Sequence, residues 1–150
     1  MEFTIKQFSE LLVTELYQIL QLRSEIFVVE QNCVYLDADG KDDKAIHLLG
    51  YTDGKLVAYA RIFKPGDYFE NASIGRVVVD KKYRMHGYGQ VLVSKAIQVC
   101  NELYGKPITI SAQQYLERFY TSLGFKTVSE MYLEDDIPHI EMLYNTNGYS

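Results

Sequence analysis

Three consecutive valines, Val77–Val79, followed within ten residues by Gly87 and Gly89, constrain this chain more than any other feature. An unalternating β-branched run suits a strand covered on both faces. Beyond the glycines the apolar period becomes helical. Leu92, Ala96, Val99 and Leu103 share one face, and Val93, Ile97, Cys100 and Tyr104 lie beside it. Ile108, Ile110 and Ala112 then alternate with polar residues as a further strand. A strand, a buried helix and a second strand over 73–112 form a crossover unit with parallel strands, so the fold class is α/β with the valine strand at its centre.

The flanking segments add antiparallel pairs. Phe3, Ile5 and Gln7–Phe8 alternate briefly and predict an edge strand. Leu12, Leu16, Ile19, Leu20, Arg23, Phe27 and Glu30 recur at helical steps and predict one face running for about five turns. On that face Arg23 and Glu30 read most simply as a buried ion pair. The stretch NCVYLDADGKDDKA, residues 32–45, reads as a solvated acidic loop. Ile46–Thr52 and Leu56–Phe63 form a hairpin around Asp53, Gly54 and Lys55. Leu116, Phe119, Tyr120 and Leu123 mark a short helix that Gly124 ends. Lys126–Leu133 and Pro138–Tyr144 close the chain as a second hairpin around Glu134–Asp136. The expectation is one domain over 1–150, a mixed and mostly antiparallel sheet flanked by helices, with a polar, frayed tail over about 145–150.

Charge and cysteine content narrow the partners. Fifteen Lys and Arg against 20 Asp and Glu leave a net charge of −5, which disfavours a broad nucleic-acid surface and suits a cationic substrate. No apolar run is long enough for a membrane span and no signal-peptide pattern opens the chain, so the cytoplasm is the expected compartment. Cys33 and Cys100 are far apart and suggest neither a disulfide framework nor a zinc site, but buried thiols. The acidic loop fails as a calcium loop: counted from Asp37, Lys41 stands at a ligand position, Asp42 where Gly is needed and Leu48 where Glu is needed. No metal is expected.

The chemistry resides in VVVDKKYRMHGYGQ, a strand leading through a basic loop into a helix. The first-turn amides of a helix are unpaired, the dipole adds partial positive charge, and glycine lets an anion approach the backbone; a pyrophosphate fits there. A Walker loop is excluded because no Gly-Lys-Ser/Thr follows, and a dinucleotide fingerprint fails because Leu92 stands at its third glycine. The run RMHGYG instead resembles the Arg/Gln-x-x-Gly-x-Gly/Ala signature of the GNAT acetyltransferase superfamily, and ERFYTSLGF is similar to that family's last helix and turn. LRSEIFVVEQNCVY, SIGRVVV, SAQQYLERFYTSLGF and DDIPHIEM together resemble its ElaA-type branch over nearly the whole chain. Met85 departs from the pattern where a further glycine is common, and the chain has no tryptophan.

The resemblance implies a GNAT fold with a splayed central parallel strand pair, and an acetyl-CoA-dependent N-acetyltransferase acting on a primary amine, small-molecule or peptide, by direct attack in a ternary complex. It implies that the loop Arg84, Met85, His86, Gly87, Tyr88, Gly89 and Gln90 holds the pyrophosphate, His86 through its amide, and that the backbone of Val77, Val78 and Val79 pairs with the pantetheine arm. It matches Tyr120 to the general acid that protonates the leaving thiolate, the bland alternative being a core tyrosine. A base is also needed. Glu30, His47, His139 and Glu141 carry suitable groups, with Glu30 and His139 ranked first. A module that binds acyl-CoA without turnover is the competing reading. Edge strands near both termini would allow a homodimer.

Overall fold

β-branched and aromatic residues at alternating positions build one eight-stranded sheet in the computed structural model, which describes residues 1–105 and 107–145. The strands are β1 (Glu2–Gln7), β2 (Ile46–Thr52), β3 (Lys55–Phe63), β4 (Ala72–Val79), β5 (Ile108–Gln113), β6 (Phe125–Thr127), β7 (Tyr132–Glu134) and β8 (Ile137–Tyr144). Their order is β1-β2-β3-β4-β5-β8-β6, with β7 also paired to β8. Only β4 and β5 run parallel. Asp53 and Gly54, both at positive φ (52° and 77°), make the two-residue turn between β2 and β3. Asp135 and Asp136 do the same between β7 and β8, with φ of 50° and 63°.

Helices cover both faces. On one, α2 (Tyr88–Tyr104) sets Leu92, Val93, Ala96, Ile97, Val99 and Cys100 against Leu48, Ala58, Ala60 and Ile108. On the other, α1 (Val13–Arg23) sets Ile19 and Leu22 against Leu49 and Tyr59. Each fully buried large aliphatic side chain is worth roughly 1.5–3 kcal/mol, against at most about 1 for a surface ion pair such as Lys6–Glu15. Packing of the two helix layers therefore sets the architecture. Leu103 leaves its expected face and is half-exposed near the end of α2. The third helix, α3 (Glu117–Ser122), follows β5, and Gly124 turns the chain at φ 106°. No described helix is long and apolar enough to cross a membrane.

Five sequence expectations need correction. The long first helix changes pitch: Ser24–Glu30 is a π-helical turn, with Gln31 N bonded to Ile26 O at 3.2 Å and Cys33 N to Val28 O at 3.0 Å. The buried stripe is consequently Ile19, Leu22, Arg23 and Ile26, while Leu12 and Glu30 face outward. Arg23 and Glu30 do not pair. The predicted closing hairpin is interrupted at Val128–Met131, so β6 and β7 are separate short strands on β8. Cys100 is buried, and burial pushes its thiol up to about 12, but Cys33 is only partly covered. Of the tail 145–150, only Asn145 lies within the described residues.

The largest correction concerns the acidic loop, which is not solvated. Asp37 is 6% exposed and accepts from Arg23 Nε and Arg76 Nε, both at 2.9 Å. Asp42 accepts from Arg23 Nη1 at 2.7 Å and Arg61 Nη1 at 2.9 Å, and Asp39 also binds Arg61. Three aspartates thus meet three arginines delivered by α1, β3 and β4. Arg23 and Arg61 are almost wholly buried. Such charges leave water only when paired.

Candidate active site

The sheet opens between β4 and β5. Their parallel pairing is confined to Ala72–Ile108 and Ser73–Thr109, after which the strands diverge. A local cause lies on β4. Arg76 and Val77 together oppose the single residue Ala60 of β3, a bulge with Arg76 at φ 50°. A bulge bends its strand and raises its twist, here carrying the second half of β4 away from β5. The gap holds a cavity of about 610 Å³, and Val77, Val78 and Val79 border it.

One wall is the β4–α2 loop. Asp80 starts it by accepting the Lys82 amide at 2.9 Å, and the chain then takes positive φ at Met85 (71°) and Gly87 (74°). Met85, 99% exposed, therefore occupies a left-handed position, which explains why glycine is the commoner residue there in the pattern it departs from. Gly87 caps α2 with no side chain, so the first-turn amides, including those of Tyr88 and Gly89, lack partners within the helix. Arg84, Met85, Gly87, Tyr88, Gly89 and Gln90 border the cavity. His86 does not; its exposed ring lies 5.9 Å from that of Tyr88. Arg84 reaches back, donating from Nη1 to Glu30 at 2.7 Å and from Nε to the Val79 carbonyl at 3.3 Å.

Tyr120 on α3 also borders the cavity. Its ring packs edge-on against Phe119 and Phe125, and burial pushes its phenol well above the usual value, so it is protonated at neutral pH. It belongs to the core and to the cavity at once.

On the far wall, His139 of β8 lies opposite Gln113 of β5, 7% exposed. Its Nδ1 is 2.7 Å from the Ile137 carbonyl and its Nε2 3.4 Å from Glu134 Oε2. Ser111 bonds both Glu134 and the Tyr132 hydroxyl, and the Tyr132 ring stacks on His139. Gln31 and Gln113, which both border the cavity, exchange amide hydrogen bonds of 3.2 and 3.3 Å.

The cavity thus brings together the loop, Glu30, Tyr120 and His139. It leaves out the two other base candidates. His47 is fully buried elsewhere, accepting from the Tyr59 hydroxyl at Nδ1 and donating from Nε2 to the Asp42 carbonyl, and burial lowers its pKa. Glu141 does not border the cavity; its amide bonds Ser129. Glu134, Ser111 and Tyr132 escaped the sequence reading. The one available signal was alternation along β5 and β7, which turns those three polar positions to a common side. A second cavity of about 790 Å³, between α1, Lys55 and Lys81, shares only Glu30 with the set.

A sheet splayed at a parallel pair, with an uncapped helix N-terminus on one side and a buried tyrosine at the gap, defines a protein class by its architecture. The comparisons identify it: the family model described as the Acetyltransferase (GNAT) domain matches residues 24–145, and the chain belongs to that family. It is 49% identical over 137 residues to protein ElaA of Escherichia coli K12, covering 89% of this chain and 90% of ElaA. The E. coli ElaA crystal structure superposes with a TM-score of 0.89 over 96% of this chain and 99% of that one, at 46% identity. An acyl-CoA N-acyltransferase from Pseudomonas aeruginosa gives 0.90 at 42% identity over the same shares. An aminoglycoside 6'-N-acetyltransferase solved with coenzyme A shares the fold alone, at TM-score 0.71 and 16% identity over 95% of this chain and 96% of that one.

Proposed function

We propose that this protein is an N-acetyltransferase that moves the acetyl group of acetyl-CoA to a primary amine within a ternary complex. The observation that carries the reading is the single cavity bordered by the uncapped α2 amides, the free β4 edge and Tyr120. The solved relatives support acyl transfer from a CoA thioester. In this mechanism the amides of Arg84–Gly89 hold the pyrophosphate, and the Val77–Val79 backbone pairs with the pantetheine amides as an added strand would. Tyr120, kept protonated by burial, donates to the sulfur as the C–S bond breaks.

The base role falls to His139. Glu30, the other candidate, is held by Arg84 at 2.7 Å, so its carboxylate orders the phosphate loop instead. A substrate phosphate at the loop competes with Glu30 for Arg84 and so couples donor binding to the π-helical turn.

The test is release of free thiol from acetyl-CoA with a panel of primary amines, comparing wild type with Tyr120→Phe. We expect amine-dependent release that falls about 100-fold in the variant, with acetyl-CoA affinity unchanged. Binding without release for every amine would make the protein an acyl-CoA-binding module. Absence of acetyl-CoA binding would sink the reading altogether.

A further inference from the structure

The π-helical turn Ser24–Glu30 is a partition between two cavities. Ile26 and Glu30 border the active-site cavity and also the second one, of about 790 Å³, between α1, the β2–β3 turn and the start of the β4–α2 loop. Small-molecule sites have such volumes. One side of it is apolar: Leu22, Ile26 and Leu56 form a buried wall, and Val29 beside them is left 73% exposed. The rim is charged. Lys55, Lys81 and Lys82 stand there with Glu25, Glu30 and Asp80. Two of the three carboxylates are taken, Glu30 by Arg84 at 2.7 Å and Asp80 by the Lys82 amide and, at 3.8 Å, by Lys55. Among the described residues Lys81 and Lys82 form no salt bridge, which leaves two unpaired ammonium groups against one unpaired carboxylate, Glu25.

We infer that this second cavity is a regulatory site for an amphipathic monocarboxylate, and that Glu30 couples it to the donor site. The ligand's carboxylate pairs with Lys81 and Lys82, and its apolar chain covers Val29 and the wall of Leu22, Ile26 and Leu56. Standing on the partition, Glu30 has cations on both sides: Arg84 in one cavity, the lysines in the other. A donor phosphate that takes Arg84 releases Glu30, and the lysines are the cations it then turns to. A carboxylate already bound there occupies those lysines and keeps Glu30 on Arg84. The two ligands therefore oppose each other without sharing a site, and each weakens the other by the same factor. This rests on the donor-binding part of the acetyl-transfer reading above.

The experiment titrates acetyl-CoA into wild type calorimetrically at increasing fixed octanoate, with 1-octanol and octyltrimethylammonium as neutral and cationic probes of the same chain. Amide chemical shifts locate octanoate: those of Val29, Lys55 and Lys81 should move, those of Gln113 and Tyr120 should not. We expect octanoate to raise the Kd for acetyl-CoA about tenfold and then to level off, and the other two probes to change it less than about twofold. A Kd that climbs in proportion to octanoate without levelling would make the cavity part of the donor site and overturn the inference. Equal effects of all three probes would reduce it to an unselective apolar surface and overturn it as well. These arms use wild type alone and do not depend on any variant's folding. In Lys81→Gln/Lys82→Gln the octanoate shifts and the coupling should both disappear. In Glu30→Gln octanoate should still bind while its effect on the Kd falls below about twofold; full coupling in that variant would remove Glu30 from the proposal and overturn it. Acetyl-CoA binding that ignores octanoate would sink this inference alone, whereas no acetyl-CoA binding under any condition would remove the acetyltransferase reading with it.

Discussion

Two loops of similar charge content have opposite fates. Residues 32–45 carry four aspartates, and three of them are consumed by Arg23, Arg61 and Arg76. Residues 80–87 carry Lys81, Lys82 and Arg84, yet the loop ends in an uncapped helix with Met85 fully in solvent. The first loop is completed by the protein's own counter-charges; in the second Arg84 pairs with Glu30, but the first-turn amides of α2 stay open to the anion that the proposed function would bring. What separates them is whether opposite charge arrives from distant parts of the chain, and loop composition does not disclose that.

The comparison breaks most readily at Asp37. Removing one partner of a buried pair strands the others, at a cost of about 3–5 kcal/mol, so Asp37→Ala should lower the melting temperature by roughly 6 °C or more. A variant melting within about 2 °C of wild type would mean that the network is worth no more than surface ion pairs.

Acid gives a smaller and more graded effect. Burial pushes the Asp39 carboxyl up, but hydrogen bonding and the charge of Arg61 outweigh it and hold the group down to about 2. Asp42 is lowered in the same way by Arg23 and Arg61, against its own burial. A carboxyl lowered in the folded state contributes stability that is full above its unfolded value, near 4, and lost as pH falls toward 2. Denaturant midpoints measured from about pH 5 to 2 should therefore fall in wild type and fall less steeply in Asp39→Asn, whose stability at neutral pH is lower to begin with. Parallel slopes would show that Asp39 is not held by Arg61.

The same contrast explains what the sequence disclosed. The β2–β3 hairpin, α2 and the loop before it are local: Asp53–Gly54, a helical apolar arc and two glycines within three residues suffice to find them. The parallel crossover followed from them, and its splay from the family resemblance. What stayed hidden depends on distance in sequence or on one residue of register. The π-helical turn adds a single residue per turn and rotates Glu30 from a supposed partnership with Arg23 to Arg84, 54 positions away. The acidic loop meets arginines 14 to 39 residues distant. Glu134 acquires meaning only because β8 folds back to bring His139 beside it. No local pattern marks such a residue.

The finest test lies where the β4–α2 loop enters α2, where two glycines of one motif make different demands. Gly87 sits at φ 74° with open space where a Cβ would stand, so its need is conformational: alanine there should cost about 1 kcal/mol in stability and weaken acetyl-CoA binding by distorting the cap. Gly89 is not at positive φ, and an added Cβ would meet the Phe119 ring at 3.6 Å, an ordinary contact. Alanine at this second site also agrees with the Gly/Ala tolerance of the signature it resembles. Gly89→Ala should accordingly bind acetyl-CoA within about twofold of wild type and hold or gain a few tenths of a kcal/mol from helix propensity. Calorimetric titration and thermal melting of the two variants decide it. If Gly89→Ala loses binding as Gly87→Ala does, the bound donor approaches α2 from the side of Phe119, and the loop's second glycine is there to admit it.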